Sequence, residues 1–86
     1  MRYVFMCRSL TYAQSAARVL EKNAISASVK KAPTGLSGSG CSYSVSVSYM
    51  KGTAAAGAAV SLRREGLLQG KVFLRHDDGS HTEVIL

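Results

Sequence analysis

Only two cysteines, one proline and five acidic residues occur in this chain of 86 residues, and each shortage excludes something. Cys7 and Cys41 are too few for a disulfide framework and lack the paired spacing of a zinc site, so any chemistry they do is thiol chemistry. Of the five carboxylates, Asp77, Asp78 and Glu83 crowd into the C-terminal segment. No Ser-His-Asp or paired-carboxylate arrangement results, and hydrolysis of those kinds is not expected. No apolar run approaches the roughly 20 residues that span a bilayer, and Met1-Arg2-Tyr3 leads into no long apolar signal-peptide core. The expectation is a soluble, cytoplasmic chain with no membrane partner. The glycine-rich segment has no Gly-Lys-Ser/Thr ending, which a phosphate-binding loop would require.

What is present suffices for one small folded domain over residues 1–86, with 47% apolar residues and a net charge of +6. Tyr3 to Cys7 is a short apolar and aromatic run that predicts a largely buried strand. Thr11 stands three residues before Gln14, the spacing of a capping box, and predicts a helix start there. Ala13, Ala16, Ala17 and Leu20 then form one apolar stripe, and Asn23 is a candidate left-handed stop. Ile25 to Ala32 alternates weakly and predicts a strand, with Lys30 and Lys31 marking an edge. Pro33 to Gly40 holds the only proline and three glycines, which makes it a loop. Cys41, Tyr43, Val45, Val47 and Tyr49 alternate with Ser42, Ser44, Ser46 and Ser48, predicting a strand with an apolar face and an open hydroxyl face.

The Ala-rich stretch Thr53–Glu65, ending at Gly66, predicts a second helix. Either Ala55, Ala59 and Leu62 or Ala56, Ala59 and Val60 turn inward. Lys71–His76 and Thr82–Leu86 flank Asp77-Asp78-Gly79-Ser80, whose Asp-Gly signals a two-residue hairpin turn. The element order implies an α+β fold: a ferredoxin-like βαββαβ sandwich with an extra C-terminal strand forming a hairpin. In that arrangement strands 1 and 3 are antiparallel neighbours, so Cys7, ending one, and Cys41, starting the other, share one end of the sheet. Arg8, the helix start, and Ser37, Gly38 and Gly40 of the loop come to the same end. A cation and a helix N-terminus favour thiolate over thiol, so a lowered pKa is expected for Cys41 and also for Cys7. Glycines before Cys41 let the backbone turn sharply and expose the sulfur. Cys7, in an apolar strand, better suits a packing role.

The strand Tyr3-Val4-Phe5, the Ala-rich helix after Ser9, and the progression Ala32-Pro33, Leu36-Ser37, Cys41-Ser42-Tyr43-Ser44-Val45 resemble the small bacterial proteins grouped as selenium/sulfur carrier-like. The likeness spans nearly the whole chain up to residue 76. It implies a carrier of sulfur or selenium on Cys41, and partners that are sulfur or selenium donor and acceptor proteins; Cys7, at the same sheet end, is the candidate second thiol. Many members have Pro-Arg before the Ser and Cys-Gly after it, whereas Thr34 follows Pro33 and Ser42 follows Cys41 here. Such a protein is a carrier more than a complete enzyme, and no cofactor is expected.

Three other readings weigh less. Net positive charge suggests nucleic acid, but the serine face of the third strand offers no aromatics for base stacking and makes nucleic acid an improbable partner. A two-residue hairpin would set His76 and His81 directly opposite each other, yet two imidazoles without a third ligand do not make a dedicated metal site. The alternative function is a non-enzymatic interaction or ligand-sensing module, forming a homodimer through Val4, Met6 and Phe73 on the open sheet face.

Overall fold

A computed structural model describes residues 1–33, 35–36 and 41–86. Among them the order is β1 (Arg2–Cys7), α1 (Leu10–Lys22), β2 (Ala27–Lys31), β3 (Tyr43–Ser48), α2 (Gly52–Arg64), β4 (Val72–Arg75) and β5 (His81–Val84). The protein is α+β, with two helices and a five-stranded sheet ordered β2-β3-β1-β4-β5. Every neighbouring pair is antiparallel.

Strand alternation divides the sheet into two faces. Tyr3, Phe5 and Cys7 of β1, Val45 and Val47 of β3 and Val72 of β4 point toward the helices, where Ala13, Ala16, Ala17 and Leu20 of α1 and Ala55, Ala58, Ala59 and Leu62 of α2 meet them. The alanines let both helices approach the sheet closely, while Phe5, Leu20 and Leu62, each at most 1% exposed, supply the bulk. Burying each of these large side chains contributes about 1.5–3 kcal/mol. The α1 stripe is the one its periodicity predicts. For α2, the register with Ala55, Ala59 and Leu62 inward is the one adopted, leaving Val60 exposed.

Several local expectations are corrected. The N-cap of α1 is Ser9, whose Oγ accepts the Tyr12 N–H at 3.4 Å, and Thr11 lies inside the helix. A serine hydroxyl at this position satisfies one of the donors the first turn leaves unpaired, so the helix starts before Thr11. At the other end Asn23 keeps a negative φ and its side-chain amide donates to Val19 O at 2.8 Å; Ala24, at φ 62°, makes the left-handed step. Gly66, at φ 71°, does the same after α2. The C-terminal hairpin has a three-residue loop, Asp77-Asp78-Gly79: the Gly79 N–H donates to His76 O and the His76 N–H to Ser80 O, with Gly79 at φ 89°. This is the loop in which a left-handed glycine follows a tight turn. His81 consequently pairs with Arg75 and not with His76.

The third strand departs most from its pattern. It begins at Tyr43, and Cys41, outside it, does not continue the Tyr43, Val45, Val47 face. Tyr49 at the far end is exposed and stacks on Tyr3, with ring centroids 5.6 Å apart. Ser44 and Ser46 are not an open hydroxyl face; both are buried. Arg2 lies over Ser46, donating from Nε to its Oγ at 2.7 Å and from Nη2 to its O at 3.3 Å, while Ser44 Oγ donates to Lys30 O at 3.5 Å.

Candidate functional site at the end of the sheet

Cys7 pairs with Tyr43 in the β1–β3 register, so Cys7 and Cys41 do lie at the same end of the sheet. They lie on opposite faces. Cys7 belongs to the helix-side core, whereas Cys41 packs with Val4 and Met6 on the other face, against Ala32, Leu36 and Phe73. The face of Cys41 is set by the backbone before β3, where the Ala32 N–H donates to Ser42 O and holds the approach to the strand.

The Cys7 thiol is fully enclosed and donates toward Leu67 O at 3.4 Å and Phe5 O at 3.8 Å. Burial, and secondarily the proximity of Cys41, push its pKa up to about 11. This overturns the expectation that the helix start and Arg8 would lower it: the sulfur faces hydrocarbon and carbonyl oxygens, which favour the neutral thiol. Arg8 is exposed, and its backbone N–H donates to Gln69 Oε1 at 3.0 Å. Gln69 in turn donates from Nε2 to Gly66 O, tying the end of α2 to the end of β1.

Cys41 lines a recess of about 580 Å³. Met6, Gly70 and Phe73 form its floor and wall with Cys41, Gly35 and Leu36 border it from the loop, and Lys71 and Glu83 form an ion pair of 3.4 Å among its lining groups. The loop border is shaped by a turn in which the Leu36 N–H donates to Pro33 O at 3.1 Å with Gly35 at φ 87°, a conformation that suits glycine. Cys41 itself is only 4% exposed, so the expected projecting sulfur is instead one recessed under its neighbours. Ser37, Gly38 and Gly40, the other expected site residues, lie outside the described residues.

Gly70 was missed from the sequence. Its N–H donates to Met6 O at 3.2 Å while the Met6 N–H donates to Lys71 O at 3.1 Å, so two residues oppose one and form a bulge leading into β4. A glycine just before a strand is the available signal, since it marks close backbone approach. The two histidines do not converge: His76 Nε2 sits 2.8 Å from Thr82 Oγ1, and His81 stands edge-on to Phe73 on the other face. Among the described residues no cluster of three His, Cys, Asp or Glu could hold a metal ion. No described helix is long and apolar enough to cross a membrane.

A family model described as "Putative Se/S carrier protein-like" matches residues 2–59, from β1 through β3 into α2. The matched stretch contains both cysteines, whereas Gly70, Lys71 and Glu83, which also line the recess, lie beyond it. No curated protein matches the chain, and no solved structure does. With more than half of its length matched, the chain belongs to the Se/S carrier protein-like family.

Proposed function

We propose that this protein is a non-enzymatic carrier of sulfur or selenium, with Cys41 as the cargo-bearing thiol, on a ferredoxin-like scaffold extended by β5. The observation that carries this reading is the contrast between the two thiols. Cys41 borders a recess of about 580 Å³, whereas Cys7 is enclosed and its pKa is pushed up to about 11. Family membership supplies the cargo class.

The transfer balances without an added oxidant. The Cys41 thiolate attacks the outer sulfur of a donor persulfide, a new S–S bond forms at Cys41, the donor's S–S bond breaks, and the donor departs as its thiolate. An acceptor nucleophile then attacks the outer sulfur and Cys41 leaves as thiolate. The outer sulfur of the adduct extends about 2 Å beyond Sγ, one S–S bond length. A recessed thiol can thus load its cargo into the adjoining space, with Gly35, Leu36 and Gly70 as a rim of low side-chain bulk on which donor and acceptor proteins close. Dimerisation through Val4, Met6 and Phe73 has less support, because Val4 and Met6 are already buried within one chain.

The test is intact-protein mass spectrometry after incubation with glutathione persulfide. Wild type and Cys7→Ser gain the mass of one sulfur atom, which a thiol acceptor removes, and Cys41→Ser does not. An adduct that persists in Cys41→Ser, or no adduct on folded wild type, ends the carrier assignment for Cys41.

A further inference from the structure

A second concavity lies on the sheet face away from the helices, reaching from the end of β2 to the β4–β5 hairpin. It has a volume of about 270 Å³ and is lined by Lys30 and Lys31 of β2, Ser44 and Ser46 of β3, Arg75 of β4 and His81 of β5, among others. Strand register explains why these groups gather. Arg2, Arg75 and His81 are directly paired across β1, β4 and β5, and Lys30 is paired with Ser44. Two arginines set opposite each other on one face repel, and sheets ordinarily avoid such a pair. Arg2 is held at the edge of the concavity by its hydrogen bond to Ser46, and Arg75 lines it. The carboxylate bordering it, Asp77, is engaged with the Met1 ammonium at 2.8 Å. Among the described residues the other ion pair joins Lys71 to Glu83, so neither Lys30 nor Arg75 has a carboxylate partner there.

Two polar groups in the concavity point the same way. Ser46 Oγ accepts from Arg2, which leaves its own O–H to donate elsewhere. His81 Nε2 is buried and has no hydrogen-bond partner among the described residues. Buried polar atoms are nearly always paired, so a site that presents an unpaired ring nitrogen, a hydroxyl donor and the cations Lys30, Lys31 and Arg75 fits a ligand rich in acceptors.

We propose that this concavity binds a small ligand carrying a tetrahedral oxyanion of the phosphate class, held by Arg75 and Lys30 with hydrogen bonds from Ser46 and His81. The site stands apart from the carrier reading and requires no sulfur chemistry. Its size suits a phosphate group with a small organic part, at the lower end of ordinary ligand pockets.

The experiment is an amide-resolved NMR titration of Cys41→Ser protein with inorganic phosphate and, in a second arm, phenyl phosphate. Saturable shifts centred on Ser44, Ser46, Arg75 and His81 are expected, and the tighter arm tells free phosphate from a phosphate monoester. The double variant Lys30→Gln/Arg75→Gln weakens binding by at least about tenfold, the scale of losing a charge-assisted hydrogen bond. Arg18→Gln/Lys22→Gln on α1 changes nothing. Shifts that never saturate, equal weakening by both double variants, or tighter binding of a glutamate-rich peptide at the same residues would overturn the proposal. Because the shifts are mapped on protein with Lys30 and Arg75 intact, the outcome does not depend on the variants folding.

Discussion

Gly70 lies so close to Cys41 that a methyl group on its Cα would come within 2.6 Å of the Cys41 sulfur and 2.8 Å of Met6 Cβ. Neither approach is tolerable for carbon, and Met6 belongs to a central strand flanked by β3 and β4, so it has little room to withdraw. The Gly70→Ala variant should lose about 1–3 kcal/mol, the usual range for overpacking a filled interior. Urea denaturation measures this. Repeating the substitution in a Cys41→Ala background should recover part of the loss, because one of the two obstructing groups is gone. Full additivity would mean that the two residues do not press on each other.

The helix cap gives an independent check on the N-terminal end of the same region. Ser9→Ala removes the hydroxyl that accepts the Tyr12 N–H and should cost about 1 kcal/mol. Thr11→Ala, two residues beyond the cap, removes no cap and replaces a β-branched residue by the best helix former, so it should be neutral or slightly stabilising. A loss in Thr11→Ala with none in Ser9→Ala would return the cap to Thr11.

Much of the frame that positions the thiols is legible in the sequence, and the reasons for the misses are physical. The α1 stripe and the apolar run of β1 are local periodicities, and with the element order they suffice to bring Cys7 and Cys41 to one end. The face of Cys41 is not legible, because alternation describes a strand only while the strand lasts and β3 begins two residues later. Ser46 is covered by Arg2, a long side chain from a neighbouring strand that no pattern within β3 reveals. Gly70 reads as an ordinary turn glycine until its contact with Cys41 is known. For the hairpin, Asp77-Asp78-Gly79 accommodates a two- or a three-residue loop, and the choice decides which histidine faces which neighbour.

The backbone of that loop is testable at Gly79. Its φ of 89° is one that a residue with a Cβ adopts at a cost, although nothing crowds the position. Gly79→Ala should therefore destabilise by about 1–2 kcal/mol through backbone conformation alone. Gly79→Asn should cost less, since asparagine visits the left-handed region more readily. Thermal denaturation of the two variants separates backbone strain from steric crowding, which would penalise asparagine more.

The raised pKa of Cys7 predicts a pH dependence with a definite sign. In the unfolded chain the thiol titrates near 9, and in the folded chain near 11. Across that interval the native state holds the proton more tightly, so stability is intact below pH 9 and falls as pH rises toward 11. Tyr3, whose pKa burial also raises, contributes a loss of the same sign at higher pH. Comparing wild type with Cys7→Ser isolates the cysteine, because the serine hydroxyl does not ionise and can still donate to Leu67 O. The difference between the two denaturation midpoints should change between pH 8 and pH 11, and a constant difference would mean that Cys7 is not held as a neutral thiol.

Leu36 is the described loop residue packed against the Val4, Met6 and Cys41 cluster, and it borders the recess that Cys41 lines. Trimming it widens the approach to the sulfur without touching the helix-side core that encloses Cys7. In Leu36→Ala, iodoacetamide should modify Cys41 several times faster than in wild type, while the rate at Cys7 stays that of global unfolding. Peptide mapping after a timed pulse distinguishes the two sites. Acceleration of both cysteines together would show that the substitution loosens the whole domain, and acceleration of neither would show that access to Cys41 is governed from the Gly70 side, where the opposing wall is backbone and cannot be trimmed further.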